Sequence, residues 1–435
     1  SQTCWLPAAC FVRPKNALHV AAILQVVSYV EAKFAIRSGG HNPNAGFGSI
    51  DKLGVLIDMQ DINHLSMQAG NDSIAKIGSG VRWAEIYEYL DNRRFGAVGG
   101  RDGDVGVAGY LLGGGMSFFP NMYGLGADSV ENYKCILANS TFVNANAMEN
   151  SDLFRALKGG GSNFAIVTEF SVRAHPIHSI WYSLELFDNG QHKAVLNATV
   201  HAQLEMEHDP RMGMFVNVAR AGLLVGRFYA SHSPGPLGFA AFEGLVPVAT
   251  YIPATNGTLY GLISALRAAK VYARREPHVV SHGLDVNLSV KIHENYLRLL
   301  NSSTATSANL SYTIQPMGTA GVQAGENQGG NTLGIERVPQ TWHASLVEWT
   351  TPEDDSAAHN LVQSMGSEVE SLARARGKFY AYRFMNDASY AQSPLSSYGA
   401  ANLASMNAVS AVYDPTGVFQ RLQNAGFLVS RTHVD

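Results

Sequence analysis

The sequence predicts an α+β protein of two packed domains, and three observations carry that prediction. At 435 residues and 46.8 kDa the chain exceeds what one hydrophobic core holds together, since long chains divide into units of about 50–200 residues. From about residue 14 to 175, helical and strand patterns alternate between unusually Gly-rich loops; from about 176 to 383 they give way to strands and longer helices. The last stretch, about fifty residues, holds the turn Asp414-Pro415-Thr416-Gly417 and a helical run placed to fold back on the first domain. The expected segments are therefore 1–175, 176–383 and 384–435, the third completing the first. No internal repeat or low-complexity tract interrupts them.

The elements follow in order. The most apolar stretch, His19 to Ile36, is broken by Glu31 and Lys33 and carries Val20, Ile23, Leu24, Val27 and Val30 at helical spacing. It reads as an amphipathic helix over 16–31, not a membrane span. Short apolar runs predict strands at 34–37, 54–58 and 74–78, and Trp83, Ile86, Tyr87 and Leu90 mark one face of a helix over 82–92. Trp5, Trp83, Trp181, Trp342 and Trp349 are read as core anchors, and Arg274-Arg275 as a solvated helix end. His282, His293 and His343 stand singly without metal-ligand spacing, so no metal is expected.

Composition excludes several functions. With 46% hydrophobic and 15% charged residues the chain is too apolar to be disordered. Thirty-one Lys and Arg against 35 Asp and Glu give a charge of −4 with no block of like sign, which argues against nucleic acid or an anionic membrane as partner. Seven N-x-S/T sequons, at Asn71, Asn139, Asn197, Asn256, Asn287, Asn301 and Asn309, point to a secreted glycoprotein. The start at Ser1, without Met or an apolar leader, fits a processed chain. Cys4, Cys10 and Cys135 allow at most one bridge, so no disulfide framework holds the fold; a Cys4–Cys10 pair is left open.

The chemistry lies in the Gly-rich segments. Phe34-Ala35-Ile36-Arg37-Ser38-Gly39-Gly40-His41-Asn42 is a strand entering a tight loop whose backbone N–H groups can converge on an anion. Arg37 can add charge, and His41 offers an imidazole beside two residues without side chains. Alone, His41 reads as readily as a surface-turn residue. The run from Val98 to Gly115 contains Gly99, Gly100, Gly103, Gly106, Gly109, Gly113, Gly114 and Gly115, enough to let backbone approach a large flat ligand. Lys158-Gly159-Gly160-Gly161-Ser162-Asn163-Phe164-Ala165-Ile166 is another glycine turn feeding a strand. No G-x-G-x-x-G dinucleotide fingerprint, G-K-[ST], H-E-x-x-H, C-x-x-C or G-x-S-x-G pattern occurs in its required context.

These segments in order, R-S-G-G-H at 37–41, G-D-V-G-V-A-G at 103–109, K-G-G-G-S-N-F-A-I-V-T at 158–168 and Y-D-P-T-G-V-F-Q at 413–420, resemble those of the vanillyl-alcohol-oxidase/berberine-bridge-enzyme-like family, its fungal secreted members in particular. The resemblance implies a bipartite PCMH-type FAD-binding domain formed by both chain ends, with a substrate domain whose antiparallel sheet, flanked by helices, roofs the flavin. It implies that Arg37, Ser38, Gly39, Gly40 and Asn42 hold the pyrophosphate and that His41 bonds covalently to the flavin. Asp102, Gly103, Gly106, Val107, Gly109, Gly113, Gly114, Gly160, Asn163, Phe164 and Ile166 are the further cofactor-binding candidates. Many relatives make a second flavin bond through a Cys at the position of Asp102, so one link is expected here, not two. Val105 stands where the family's oxidases tend to carry Val, which implies oxygen access.

Two departures concern the substrate. The family's roof-strand base is a Glu in G-G-x-x-x-E, aligned here with Gly329-Gly330-Asn331-Thr332-Leu333-Gly334, so the Glu is Gly334. Where the family often carries N-Y-x-D, this chain reads Met385-Asn386-Asp387-Ala388, so the Tyr is Asp387. Asp387 is therefore the first candidate base, with Asn386 and Tyr390 behind it; a paired carboxylate at a strand end is the competing reading. Tyr110 and Asn331 are the candidate substrate contacts. The implied function is an oxidase, working as a monomer, that takes hydride from a small alcohol, sugar or secondary metabolite and passes electrons to O2, giving H2O2. An oxidative cyclase or desaturase, or a flavin-bearing non-redox binding protein or pericyclase, are the alternatives.

Overall fold

The computed structural model describes residues 1–267, 272–303 and 307–432. Three sheets organise them: a parallel three-stranded sheet in the order Cys10–Val12, Gly54–Asp58, Lys33–Arg37; an antiparallel five-stranded sheet in the order Leu65–Gln68, Asn71–Gly78, Ile166–Arg173, Val130–Ile136, Phe142–Asn146; and an eight-stranded antiparallel sheet. The large sheet runs in the order Ala249–Thr258, Ser179–Phe187, Gly222–Tyr229, Met212–Ala219, Asn309–Met317, Gln340–Trp349, Arg274–Gly283, Phe379–Tyr380. The α+β class is thus present, with its antiparallel sheet.

Helix Ala17–Tyr29 is capped by Asn16, whose side chain accepts from the His19 N–H, and it buries Val20, Ala21, Leu24 and Val27 against Phe34, Ile57, Val418 and Phe419. The expected helix over 16–31 stops earlier: Glu31 adopts φ 51°, so Val30 falls outside the helix and is exposed. Helix Trp83–Asp91 begins where the Arg82 N–H donates to Glu85 Oε1 at 3.0 Å, and its Trp83, Ile86, Tyr87 and Leu90 face is wholly buried. The C-terminal stretch reaches the N-terminal one: Asn424 N–H donates to the Phe34 carbonyl, and Asn163 Oδ1 accepts from Val429 N–H.

The two faces of the large sheet do different things because strand side chains alternate. Met214, Val216, Leu310, Tyr312 and Ile314 point into a core shared with helices His192–Glu205, Val286–Ser302 and Asp355–Ala375. Phe215, Met317 and Trp342 point the other way, into the core of the N-terminal region. Four of the five tryptophans are core anchors; Trp5 is not, being exposed with its ring edge on Tyr272. Arg274 and Arg275 open a strand and pair with Asp355 and Glu348, replacing the expected helix end, while Lys270 and Val271 of that motif lie outside the described residues. Cys4, Cys10 and Cys135 are free thiols.

The histidines that look single in sequence are gathered by the fold. His343 stacks on Tyr312 with centroids 4.5 Å apart, the Tyr312 hydroxyl lies 2.9 Å from His293 Nδ1, and His293 stacks on His192. No group of three metal-ligating side chains forms among the described residues. Burial disfavours the imidazolium, pulling His175, His278 and His293 down from 6.5 to about 4. Between those values the unfolded chain binds protons that the folded chain refuses, so stability is complete above about pH 6.5 and falls as pH drops toward 4. Thermal melting across this range is expected to show a flat neutral plateau and a progressive acid decline.

Candidate active site

The site begins where two loops cross. Strand Lys33–Arg37 ends beside Asp58 of its parallel neighbour, and the Arg37 guanidinium donates to Asp58 Oδ2 from Nε at 3.0 Å and Nη2 at 2.6 Å. Arg37 is therefore neutralised by Asp58, and its first task is to fix the loop that follows. Ser38 Oγ donates to the Ser79 carbonyl at 2.6 Å, and Gly39 then passes Gly106 backbone to backbone. A Cβ on Gly39 would sit 2.4 Å from Gly106 N, and one on Gly106 would sit 2.3 Å from Gly39 N. Only glycine at both positions permits the crossing. Gly40 follows at φ +69°, and Asn42 Oδ1 folds back to accept from Asn44 N–H.

A cavity of about 300 Å³ opens along this crossing, lined by Arg37 to Gly40, Asn42, Asp58, Gln60, Arg82 and the Ser1, Cys4 and Trp5 end. Arg82 gives it a second guanidinium, held by a hydrogen bond to the Asp104 carbonyl. On its far rim His41 Nε2 lies 3.2 Å from Asp102 Oδ2. Asp102 is held below the usual carboxylate range, chiefly by its hydrogen bond to His41 and further by the Asp104 N–H and Arg82.

A second cluster faces this rim from the large sheet. Gln315, on strand Asn309–Met317 and opposite in orientation to Ile314, donates from Nε2 to Asp387 Oδ2 at 2.6 Å and accepts at Oε1 from Arg101. The Arg101 guanidinium lies 5.7 Å over the Phe215 ring. Burial pushes the Asp387 carboxyl up, opposed by Gln315, Arg101 and His41, so Asp387 lies within the electrostatic reach of the Arg101 guanidinium and the His41 ring.

FAD suits these residues on two structural grounds. Ser79 Oγ is buried without a hydrogen-bond partner beside Ser38, and Gly109, exposed on helix Val107–Leu112, has no heavy atom within 4 Å of where a Cβ would stand, leaving a bare ridge for a flat ring system. The comparisons agree. A family model for a FAD binding domain matches residues 8–146. The chain is 34% identical over 434 residues to a FAD-dependent monooxygenase, macF, of Penicillium terrestre, covering 99% of this chain and 83% of that protein. It is 31% identical over 426 residues to a bifunctional solanapyrone synthase of Alternaria solani, covering 96% and 81%. It belongs to the vanillyl-alcohol-oxidase/berberine-bridge-enzyme-like family. Among solved structures it shares the fold of a glucooligosaccharide oxidase of Acremonium strictum, with a TM-score of 0.81, 20% identity and coverage of 96% of this chain and 91% of that one. The protein is thus a FAD-binding oxidoreductase of this family.

Within this family member several expected site residues turn out to be scaffold. Asn386 donates to the Gly109 carbonyl and accepts from Gly115 N–H, tying the middle of helix Val107–Leu112 to the turn that follows it; a Cβ on Gly113 would strike it. Tyr390 is exposed and turns its hydroxyl to His359, not to Asp387. Tyr110 is buried on Trp83 with its hydroxyl on the Val98 carbonyl, a core position rather than a substrate contact. Asn331 is spent on Asp128 Oδ1 and the Leu333 N–H. Gly334, at φ +65° under the Tyr398 carbonyl, lies in a loop, so the aligned base position is not on the roof strand; Gln315 is the roof residue facing Asp387.

The third glycine turn is also chiefly structural. Asn163 donates to the Gly160 and Phe427 carbonyls, while Val107, Phe164 and Ile166 are wholly buried side chains. Gly103 packs beside Ala84, and Gly114 at φ +111° turns the chain past Leu333. Val105 is half-buried, its carbonyl accepting from Trp83 N–H. Sequence reasoning missed Gln315, Arg101, Arg82 and Ser79. Arg101 lies inside the Val98–Gly115 glycine run, but nothing in a strand pattern singles out one Gln.

The crossing yields a test. Gly106→Ala is expected to force the loops apart, lower stability by about 1–3 kcal/mol and leave the purified protein with little FAD absorbance. Gly109→Ala, which meets open space, is expected to keep the wild-type melting temperature within about 1 kcal/mol of stability while lowering FAD content.

Proposed function

We propose that this chain is a secreted, monomeric oxidase that takes hydride from an alcohol-bearing carbon of a small secondary metabolite, with FAD carried on His41 and Asp387 as base. The observation that supports this best is Asp387. It is a carboxyl whose proton affinity burial raises above that of an ordinary Asp, within electrostatic reach of His41 and held in direction by Gln315 and Arg101. Bound FAD supplies a two-electron acceptor that dioxygen can reoxidise. The chain's own residues orient the substrate hydroxyl under the Phe215 and Gln315 face, and Asp387 removes its proton. One C–H and one O–H bond are exchanged for C=O, and dioxygen leaves as hydrogen peroxide.

Val105 beside the Gly106 crossing supports oxygen access. The names of the 34% and 31% identical relatives, a monooxygenase and a synthase, favour a secondary metabolite over an oligosaccharide. They also favour a second reading, in which the oxidation inserts oxygen or sets up ring closure. Turnover under 18O2 separates the two: one peroxide per product and no label in the product supports the oxidase, whereas label in the product supports oxygen insertion.

Secretion rests on the sequons, all seven of whose asparagines are exposed on described residues. Expression through a secretory host is expected to give a protein that loses mass on treatment with a peptide N-glycosidase. Asp387→Asn is expected to lower kcat by about 10²–10⁴-fold with FAD content unchanged. Because the active form is the carboxylate, wild-type kcat/KM should fall as pH drops through a limb above the ordinary Asp value of 3.8, and the variant should lose that limb.

A further inference from the structure

We propose that Asp102 is the positioning residue for attachment of FAD to His41, an inference that rests on the covalent linkage proposed above. Asp102 occupies the position where many relatives carry a second flavin-bonding Cys, yet the structure gives it a different task. Its Oδ1 accepts from Asp104 N–H at 2.9 Å, which fixes the carboxylate within its own turn, and its Oδ2 lies 3.2 Å from His41 Nε2. An ionised carboxylate only accepts, so Nε2 must carry the proton. The other ring nitrogen, Nδ1, makes no hydrogen bond among the described residues, and its lone pair is therefore free to form a bond.

The surroundings keep the pair in that state. Arg82 lies near enough to favour the ionised Asp102, and Asp387 is a further acidic group within electrostatic reach of His41. The attachment exchanges a C–H bond of the flavin 8α methyl group and the imidazole N–H for one C–N bond, an oxidation by two electrons. Dioxygen accepts the two electrons and two protons as hydrogen peroxide, so atoms and charge balance. Bond formation at Nδ1 makes the imidazole a cation, and Asp102 stabilises that charge until the Nε2 proton leaves as one of the two carried off on hydrogen peroxide. The carboxylate thus serves in place of a second covalent anchor, by preparing the first.

The test separates FAD binding from FAD attachment. Full-length wild type, Asp102→Ala, Asp102→Asn and His41→Ala are produced with limiting riboflavin and then given FAD. Non-covalent binding is followed by quenching of FAD fluorescence, and attachment by the colour retained in acid-precipitated protein over time. Asp102→Ala is expected to bind FAD with near-wild-type Kd but attach it about 10–100-fold more slowly, the scale of a lost hydrogen bond to a charged group. Asp102→Asn, which keeps an acceptor for Nε2–H, should recover part of that rate. Attachment by Asp102→Ala at the wild-type rate, or loss of FAD binding by both Asp102 variants, overturns the proposal while leaving the His41 linkage standing. Release of all FAD by acidified wild type, or retention by His41→Ala, overturns the linkage itself and this proposal with it.

Discussion

The molecule depends on a place where two backbones touch. Gly39 and Gly106 approach so closely that neither can carry a Cβ, and this contact joins the loop after strand Lys33–Arg37 to the loop that opens helix Val107–Leu112. The loop residues that face the cavity are aimed from that joint. Ser38 is pinned to Ser79, His41 emerges one residue beyond Gly40, and Asp102 comes back from the other loop to meet it. Side-chain contacts of a few tenths of a kcal/mol would not fix two loops this tightly; steric exclusion at both partners does.

The other half of the site is set by strand period. Because successive residues of Asn309–Met317 face opposite sides, Ile314 enters the helix-covered core while Gln315 is turned toward Arg101 and Asp387. A shift of one residue would bury the amide among the helices and present Ile314 to Asp387. The charges tolerate their low-dielectric setting because each is answered: burial lowers the proton affinity of Arg101 and raises that of Asp387, and each opposes the other's shift. Gln315 bridges them, donating with one end and accepting with the other.

What the sequence made legible follows from this. Local patterns identify helix Ala17–Tyr29, helix Trp83–Asp91 and the strands around Phe34, Leu56 and Ala75, because each is fixed by its own periodicity and caps. The glycine loops were legible for the same reason: a density of Gly marks close approach whatever is being approached. Roles that depend on a distant partner were not. Nothing near Asn386 in sequence announces that Gly109 and Gly115 will need a clamp, or that Asn331 will be claimed by Asp128. Tyr110 and Tyr390 carry the same phenol, and only the tertiary packing turns one onto Val98 and the other onto His359. Gln315 was the opposite case, an ordinary strand residue made consequential by the two side chains it meets.

Two carboxylates therefore act on one imidazole from different environments. Asp102, half open to solvent and fed by the His41 and Asp104 donors, is held in its charged form. Asp387, half-buried beneath the sheet, has its proton affinity raised by burial even though His41 and Arg101 pull the other way. A pair of like groups driven apart in this manner divides labour between a permanent charge and a proton carrier. In the function proposed above, that division gives the fixed charge to His41 and the exchangeable proton to the substrate side. The arrangement needs both carboxylates because neither environment can supply both properties. Opening the Asp387 pocket to water would return its carboxyl toward the ordinary range, and burying Asp102 would deprive the imidazole of the anion that orders its proton.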